Sequence, residues 1–270
     1  MPNRLSGRTA LVTGSTSGIG RAIAQAFAAE GAHVVISGRR QDLGSAVVEQ
    51  IQASGGSATF VPVDLATDAT GIATFVDGAL RAANGAIDIL VNNAAFLVPS
   101  TPTANTTEAV IDSALNVNIK APFLVTALVA QGMLARHDGV IINIGSINAT
   151  TGMAGAALYS ATKAAMHSLT RTWAAEFGQS GIRVNTIAPG PSATEWSVPI
   201  RAVLDGLVAG VPSGRISELE EVAAAAVFLA SSDAANIHGI TLPVDGGMAA
   251  TFRVAPISQL NRLAREVAAA

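Results

Sequence analysis

The stretch TALVTGSTSGIGRAIAQAF, residues 9–27, decides the fold. Its first four residues form a short apolar run that predicts a β-strand. A glycine-rich turn follows, and then Ile19, Ile23 and Phe27 recur at helical spacing. Glycines let such a turn approach a pyrophosphate closely, and the N-terminus of the helix offers free N–H groups to it. The stretch therefore predicts a strand, turn and helix that open a nucleotide-binding sheet.

The glycine spacing by itself is less specific. Gly14, Gly18 and Gly20 follow the pattern G-x-x-x-G-x-G, whereas the commoner dinucleotide fingerprint is G-x-G-x-x-G. A turn that is merely tight is the alternative. The position of the turn directly after the first strand favours a phosphate site.

Strand and helix patterns continue to alternate along the chain. Further strands are predicted at residues 33–37, 59–63, 87–91, 140–144, 183–187 and 239–244, with helices at residues 42–54, 68–84, 107–135, 156–179 and 217–231. This alternation predicts an α/β fold: a single doubly wound Rossmann-type domain whose mostly parallel seven-stranded sheet carries helices on both faces. We assign residues 1–250 to this domain, with a substrate lid at about 190–214, and residues 251–270 to a C-terminal tail.

Composition narrows the classes of function. Half of the residues are hydrophobic, only 13% are charged and there is no cysteine, so the core is aliphatic and thiolate metal sites are excluded. The four histidines show no ligand spacing, and we predict no metal site. The net charge is −3 without a basic block, which predicts no nucleic-acid partner. Neither an apolar leader nor a membrane-spanning run is recognised, so we expect a cytoplasmic protein.

One pair of residues points to chemistry. Tyr159 is the only tyrosine, and Lys163, one of two lysines, follows it by four positions. On a helix these side chains share a face, one turn apart. An ammonium at that distance typically lowers the pKa of a phenol by roughly 1 to 3 units. The spacing predicts a tyrosine that donates and accepts protons near neutrality, whereas a plain surface pair is the alternative.

The ends of the next two strands bear on the cofactor. An acidic residue usually follows the second strand of an NAD site, where it binds the ribose hydroxyls. Here Gly38 takes that place and Arg39 follows, which favours a 2′-phosphate and therefore NADP over NAD. A solvated arginine pair is the alternative reading of Arg39. Asp64 and Leu65, after the third strand, are predicted to cap the adenine.

Four motifs, in order, resemble those of the short-chain dehydrogenases/reductases. They are Thr13-Gly14-x-x-x-Gly18-Ile19-Gly20, Asn92-Asn93-Ala94-Ala95, Ser146 with Tyr159-x-x-x-Lys163, and Pro189-Gly190 with Thr194. Ala95 replaces the glycine most often seen in the second motif. The resemblance spans nearly everything from Gly7 to Met248 and is nearest to the 3-oxoacyl-carrier-protein reductase-like branch. That branch is indicated by Val211-Pro212-x-Gly214-Arg215 and Val244-Asp245-Gly246-Gly247.

The resemblance implies roles for individual residues. Tyr159 would be the general acid in reduction and the general base in oxidation, and Lys163 would lower its pKa and bind the nicotinamide ribose. Ser146 would bond the substrate oxygen, and Asn118 would hold a water that links Lys163 to solvent. The residues that match family cofactor contacts are Gly14, Ser17, Ile19, Arg39, Asp64, Leu65, Asn92, Ile144, Tyr159, Lys163, Pro189 and Thr194.

The implied activity is an NADP(H)-dependent interconversion of a ketone and a secondary alcohol by hydride transfer, with NAD(H) possible as cofactor. Alternatives are a 3-oxoacyl-carrier-protein reductase, an NAD-dependent sugar, polyol or steroid dehydrogenase, and a catalytically idle nucleotide-binding regulatory protein. Apolar residues in the lid favour an apolar or mixed small-molecule substrate. The resemblance also implies a homotetramer that packs through residues 107–135 and 156–179.

Overall fold

The computed structural model describes residues 3–251. Its strands are β1 (Thr9–Val12), β2 (His33–Gly38), β3 (Ser57–Pro62), β4 (Ile89–Asn92), β5 (Gly139–Ile144), β6 (Ile182–Pro189) and β7 (Thr241–Val244). They form one sheet in the order β3-β2-β1-β4-β5-β6-β7, and every pairing is parallel. The predicted α/β fold is confirmed, with a sheet that is wholly parallel.

Helices cover both faces of this sheet. They are α1 (Gly18–Ala29), α2 (Gln41–Ala53), α3 (Ala69–Ala82), α4 (Glu108–Leu115), α5 (Ala121–Arg136), α6 (Ala157–Phe177), α7 (Arg201–Val208) and α8 (Leu219–Ala230). Ala10 and Val12 of β1 face a core formed with α1, α2 and α8, whereas Leu11 between them faces a core formed with α3, α5 and α6. Successive strand residues point to opposite faces, so a strand buried on both sides reads as a continuous apolar run.

The long helix predicted at residues 107–135 is interrupted by a π turn at Asn116–Lys120. Pro122 lies in the first turn of α5, where the missing N–H costs no helical hydrogen bond. The stretch Glu108–Arg136 is long and apolar enough, by length and composition, to cross a membrane, which the sequence prediction did not recognise. In this fold the α5 part of the stretch buries Val125, Val129 and Met133 in the core it shares with α3 and α6.

The lid region departs from the prediction of an irregular segment. It contains a 3₁₀ helix, Glu195–Ile200, followed by α7. Val208 at the end of α7 packs with Val211 and Ile216 in a small cluster of its own. Pro199 and Gly206 interrupt this amphipathic segment in the sequence and concealed it.

Two smaller points concern α8 and β7. The sequence pattern Ser217-x-x-Glu220 predicts a capping box at the start of α8, but the structure forms it one residue later, from Glu218 and Glu221. The Ser217 hydroxyl instead donates to the Val244 carbonyl at 3.2 Å. Pro243 lies on the edge strand β7, as predicted. Of the predicted tail, everything after Thr251 lies outside the described residues.

Candidate active site and cofactor cradle

The polar residues of the motifs gather at the carboxyl ends of the parallel strands. β1 is flanked by β2 on one side and β4 on the other, so the direction of the chain across the sheet reverses beside it. In open α/β sheets, ligands bind in the crevice at such a reversal point. The glycine turn after β1, the Asn-Asn motif after β4 and Ser146 after β5 all border this crevice.

The glycine turn is held against the end of β4. Asn93 donates from its side-chain amide to the carbonyls of Thr13, at 2.9 Å, and Gly14, at 3.1 Å. Gly14 has φ +65°, and a Cβ there would lie 2.8 Å from the Ala94 Cα. A Cβ on Gly20 would overlap the Asn93 side chain. The turn therefore needs its glycines, and the open helix N-terminus it leaves fits a dinucleotide pyrophosphate.

Asn92 lies in a buried polar network between strand ends. Its amide donates to Thr126 Oγ1 at 3.0 Å and to Asn143 Oδ1 at 2.9 Å, and Asn143 donates to Thr170 Oγ1 at 2.7 Å. The Asn92 Oδ1 atom has no hydrogen-bond partner among the described residues. The Asn92 amide nitrogen thus joins β4 to β5 and to the helices behind them. The role of this side chain in the described structure is to hold these elements together.

The three predicted reacting residues come together. Ser146 lies two residues after the end of β5, and its hydroxyl is close enough to the Tyr159 side chain to lower the pKa of the phenol. The Lys163 Nζ lies 5.8 Å from the centroid of the Tyr159 ring and donates to the Ile144 carbonyl at 2.8 Å. A strand end and one helix, α6, therefore supply an oxygen anchor, a phenol and an ammonium within one small volume.

The electrostatics differ from the prediction in one respect. Burial lowers the pKa of Lys163 to about 8, because the ammonium loses its hydration. Burial also raises the pKa of Tyr159, and the nearby Ser146 hydroxyl opposes that rise only in part. The prediction that Lys163 lowers the pKa of the phenol is therefore wrong when only the protein's own groups act on Tyr159. The ammonium bonds the Ile144 carbonyl, and desolvation of the phenol is the larger effect.

Asn118 occupies the π turn and is buried. Its Oδ1 accepts from the Phe96 N–H at 2.7 Å, and its Nδ2 donates to the Phe96 carbonyl at 3.2 Å and to Thr162 Oγ1 at 3.3 Å. Thr162 in turn donates to the Tyr159 carbonyl at 2.8 Å. The side chain thus connects the loop after β4 to α6, and its water-holding role stays a prediction.

The remaining predicted cofactor residues lie around the crevice with different exposure. Arg39 is exposed just after β2, and Asp64 is exposed and accepts the N–H of Ala66 at 3.0 Å. Leu65 is buried in the core. Pro189 ends β6, and the Thr194 methyl group lies 3.5 Å from where a Cβ on Gly18 would stand.

Comparison with known proteins agrees with this geometry. Residues 14–249 match the family described as Enoyl-(Acyl carrier protein) reductase. The relative 2,5-dichloro-2,5-cyclohexadiene-1,4-diol dehydrogenase LinX of Sphingobium indicum is 38% identical, with 92% of this chain and 98% of the relative covered. The 3-oxoacyl-(acyl-carrier-protein) reductase FabG of Escherichia coli is 37% identical, with 90% and 97% covered.

Solved structures add the fold. A short chain dehydrogenase/reductase family protein is 43% identical and has a TM-score of 0.84, over 92% of this chain and 100% of that one. This chain belongs to the short-chain dehydrogenase/reductase family. The gluconate 5-dehydrogenase of Burkholderia cenocepacia, in complex with NADP and tartrate, is 35% identical, with a TM-score of 0.86 over 92% of this chain and 98% of that one. Short-chain dehydrogenases/reductases are oxidoreductases that bind NAD(H) or NADP(H), and the glycine cradle described above fits that cofactor.

Sequence reasoning missed Glu195 and His167 in this short-chain dehydrogenase/reductase. Glu195 bonds both Gly18 and Arg21 at the start of α1. His167 is buried one turn after Lys163, and its Nε2 has no partner among the described residues. Gly18 and Glu195 are 177 positions apart, so no local pattern indicates their contact. A helix-spaced repeat of Tyr159, Lys163 and His167 was the one signal available for the histidine.

Proposed function

We propose that the protein is an NADP(H)-dependent oxidoreductase that interconverts a ketone and a secondary alcohol, with Tyr159 as general acid and base. The observation that carries the proposal is the placement of the Ser146 hydroxyl near the Tyr159 side chain, with the buried Lys163 ammonium 5.8 Å from the centroid of the Tyr159 ring. An acid, an oxygen anchor and a cation together meet what carbonyl reduction requires of a protein.

The residues divide the work of reduction as follows. Ser146 donates a hydrogen bond to the carbonyl oxygen, and Tyr159 transfers its hydroxyl proton to that oxygen. A nicotinamide cofactor held in the glycine cradle would supply the hydride that the reduction requires. Because burial keeps the Tyr159 pKa high, the phenol is protonated at neutral pH and ready to donate. The Lys163 ammonium stabilises the phenolate left behind until solvent returns the proton.

Replacing Tyr159 with Phe tests this role. The variant lacks only the hydroxyl, so turnover should fall by about 100-fold or more while NADPH still binds and raises the melting temperature. Ser168→Ala, which removes an exposed hydroxyl from the same helix, serves as the matched control and should keep its activity. Near-normal turnover by Tyr159→Phe would show that Tyr159 is not the general acid and base.

The preference for NADP rests on the end of β2. Gly38 carries no acidic side chain, and Arg39 is exposed beside it, free to face a 2′-phosphate. The Thr16 side chain packs close to Gly38, where a Cβ would lie 2.8 Å from the Thr16 methyl group, so a larger residue in place of Gly38 meets an obstacle. The relative solved with NADP supports the same cofactor.

Arg39→Ala should lower kcat/KM with NADPH by roughly 10-fold and leave that with NADH nearly unchanged, since it removes a charge-assisted contact to the phosphate alone. The neighbouring, equally exposed Arg40→Ala is the control. If wild type and Arg39→Ala use the two cofactors equally well, Arg39 does not select NADP.

An apolar or mixed ketone fits the crevice mouth better than a polyhydroxy acid. Large hydrophobic side chains are exposed in the loops after β4 and β5 and in the lid, at Leu97, Met153, Trp196 and Val198. The first two loops are joined by a hydrogen bond from the Thr101 N–H to the Gly155 carbonyl at 2.9 Å. Relatives include both a cyclohexadienediol dehydrogenase and a gluconate 5-dehydrogenase, so a panel of alicyclic ketones, sugar acids and their alcohols would discriminate.

We also propose a cytoplasmic homotetramer. Leu115 and Phe123 are exposed on consecutive helices, and the Phe123 ring lies 5.8 Å from the Trp173 ring of α6. Exposed large apolar side chains that lie together on adjacent helices indicate a contact surface. A second copy of the chain can cover this surface with the same side chains, in a symmetric contact.

A further inference from the structure

Glu195 joins the root of the lid to the start of α1. One carboxylate oxygen, Oε2, accepts the backbone N–H of Gly18 at 3.1 Å, and the other, Oε1, lies 2.6 Å from Arg21 Nη2. Gly18 is the first residue of α1 and Arg21 lies one turn further on. A single side chain from the lid therefore binds the helix at two points.

The carboxylate is well suited to this position. The N-terminus of a helix carries partial positive charge and free N–H groups. Ser17, at the N-cap, makes no side-chain capping bond, so the cap comes from a distant part of the chain. The Arg21 guanidinium contacts the Glu195 carboxylate and neutralises its negative charge at the start of α1.

The contact leaves room for a phosphate. Glu195 uses the N–H of Gly18, whereas the N–H of Ile19 and the hydroxyl of Ser17 have no acceptor or partner among residues 3–251. Ser17 and Ile19 are the two residues predicted from the motif to bind the cofactor here. The carboxylate and a pyrophosphate can therefore use neighbouring, separate groups of one helix N-terminus.

The lid begins at this contact. Thr194, next to Glu195, lies with its methyl group 3.5 Å from the Cβ position of Gly18, and its carbonyl accepts the Ser197 hydroxyl at 2.7 Å. The 3₁₀ helix Glu195–Ile200 and α7 follow directly. Ser192 and Ala193, just before this contact, are fixed to Ser217 by backbone contacts, and the Glu195 side chain then fixes the first lid residues against the glycine turn.

We propose that Glu195 is a positioning residue that couples the pyrophosphate-binding turn to the substrate lid. This proposal rests on the proposed function. Under it, dinucleotide binding and placement of the lid over the substrate both depend on the contact of Glu195 with Gly18 and Arg21. Loss of the carboxylate frees the lid root and displaces Thr194 from the turn.

Glu195→Gln tests the coupling against a matched control, Asp205→Asn. Asp205 forms an ion pair with Arg201 at 2.8 Å in the same lid, with both partners on α7. Glu195→Gln should weaken NADP binding by about two- to fivefold in direct titration, as expected for a partly exposed ion pair, and raise the substrate KM with kcat nearly unchanged. Hydrogen exchange of residues 195–208 should be faster in Glu195→Gln than in wild type. In Asp205→Asn, hydrogen exchange near Gly18 should stay at the wild-type rate.

A second variant keeps the result interpretable. Arg21→Gln should weaken NADP binding in the same direction, and the double variant should lose less than the two single losses combined, because both act on one contact. Tighter NADP binding by Glu195→Gln would show that the carboxylate competes with phosphate and would overturn the proposal. NADP binding and KM that match those of Asp205→Asn would overturn the coupling alone, whereas a wild-type protein that binds no NADP would overturn the proposed function as well.

Discussion

At the scale of the residue, burial alters the titration of two side chains close to Tyr159, the proposed general acid and base. Lys163 is 5% exposed, and its ammonium donates a hydrogen bond of 2.8 Å to the Ile144 carbonyl. His167, one turn further along α6, is 4% exposed and has its Nε2 unpartnered within the described chain. A Cβ on Gly145 would overlap the His167 ring, so the histidine rests against the backbone between Ile144 and Ser146. Two groups that titrate are thus enclosed beside the reacting centre.

Lys163→Met should change the alkaline stability profile. The pKa of Lys163 falls from 10.5 to about 8 on folding, so the unfolded chain binds more protons between these values and wild-type stability rises with pH across that window. The rise from this group amounts to about 3 kcal/mol at most. Denaturant unfolding of wild type and Lys163→Met from pH 7 to 10.5 measures the difference. Lys120→Met, which alters the other lysine at an exposed position, should behave as wild type; identical slopes for Lys163→Met and wild type would contradict the prediction.

His167→Leu should improve stability in acid. Burial first, and then the charges of Arg171 and Lys163, lower the His167 pKa to about 4 from 6.5. The unfolded chain therefore binds more protons between pH 4 and 6.5, and wild-type stability falls as the pH falls through that window. Melting temperatures measured from pH 7 to 4 should decline less steeply in His167→Leu. The exposed His137→Asn, whose residue at φ +54° tolerates asparagine, is the control.

At the scale of the element, the π turn between α4 and α5 has a definite task. It places Asn118 where one amide satisfies the backbone of Phe96 and the hydroxyl of Thr162. The sequence predicted a loosened helix here because of Pro122, and the structure places the loosening just before the proline, at Asn116–Lys120. π turns often mark functional sites, and this one aligns the loop after β4 with α6.

Asn118→Ala should lower stability by about 1–3 kcal/mol, because it leaves the N–H of Phe96 without its acceptor and breaks two further hydrogen bonds. Urea unfolding measures the loss, and kcat should fall with it, since the support of Thr162 and Tyr159 is removed. Asn116→Ala in the same turn makes a suitable comparison, because the described structure shows no side-chain hydrogen bond from Asn116. An Asn118→Ala protein as stable as Asn116→Ala would rule out this role.

At the scale of the whole molecule, the exposed large hydrophobic side chains of the described residues, apart from Ile240 beside β7, fall into two groups. One group borders the crevice and lid, and the other, with Leu115 and Phe123, lies on the α4–α5 surface. In the proposed function, the first group borders the region that binds the substrate. The second lies on the outer surface of α4 and α5 and suits association with further copies of the chain.

Phe123→Arg should dissociate the proposed tetramer, since a buried charge at a self-complementary surface is repeated at every copy. Light scattering after size-exclusion chromatography should give about four times the 27.1 kDa chain mass for wild type and a smaller mass for the variant. Val203→Arg, on the exposed face of α7, should keep the wild-type mass. A wild-type monomer at micromolar concentration would contradict the proposed assembly.

The sequence alone determined the order of strands and helices, the glycine turn, and the identity of Ser146, Tyr159 and Lys163. These are encoded locally, in hydrophobic period, glycine placement and a four-residue spacing, and so they can be read without coordinates. Predicted boundaries differ by one to two residues at most strands because local patterns do not show where pairing ends. The helix α7 was missed because Pro199 and Gly206 interrupt its pattern, and Val208 packs in a small cluster that also includes the distant Ala193 and Met248.

Only the tertiary structure decided how the site is charged and connected. The pKa of Tyr159 depends on desolvation, which no spacing reports, and it moved opposite to the prediction. The Glu195 contact with Gly18 spans 177 positions, and the Asn92 network joins two strands and the helices behind them. Residues distant in sequence meet because parallel strands bring their carboxyl ends to one edge of the sheet. The glycine turn at residues 14–20 was recognisable from the sequence, whereas its carboxylate partner became visible only in the folded chain.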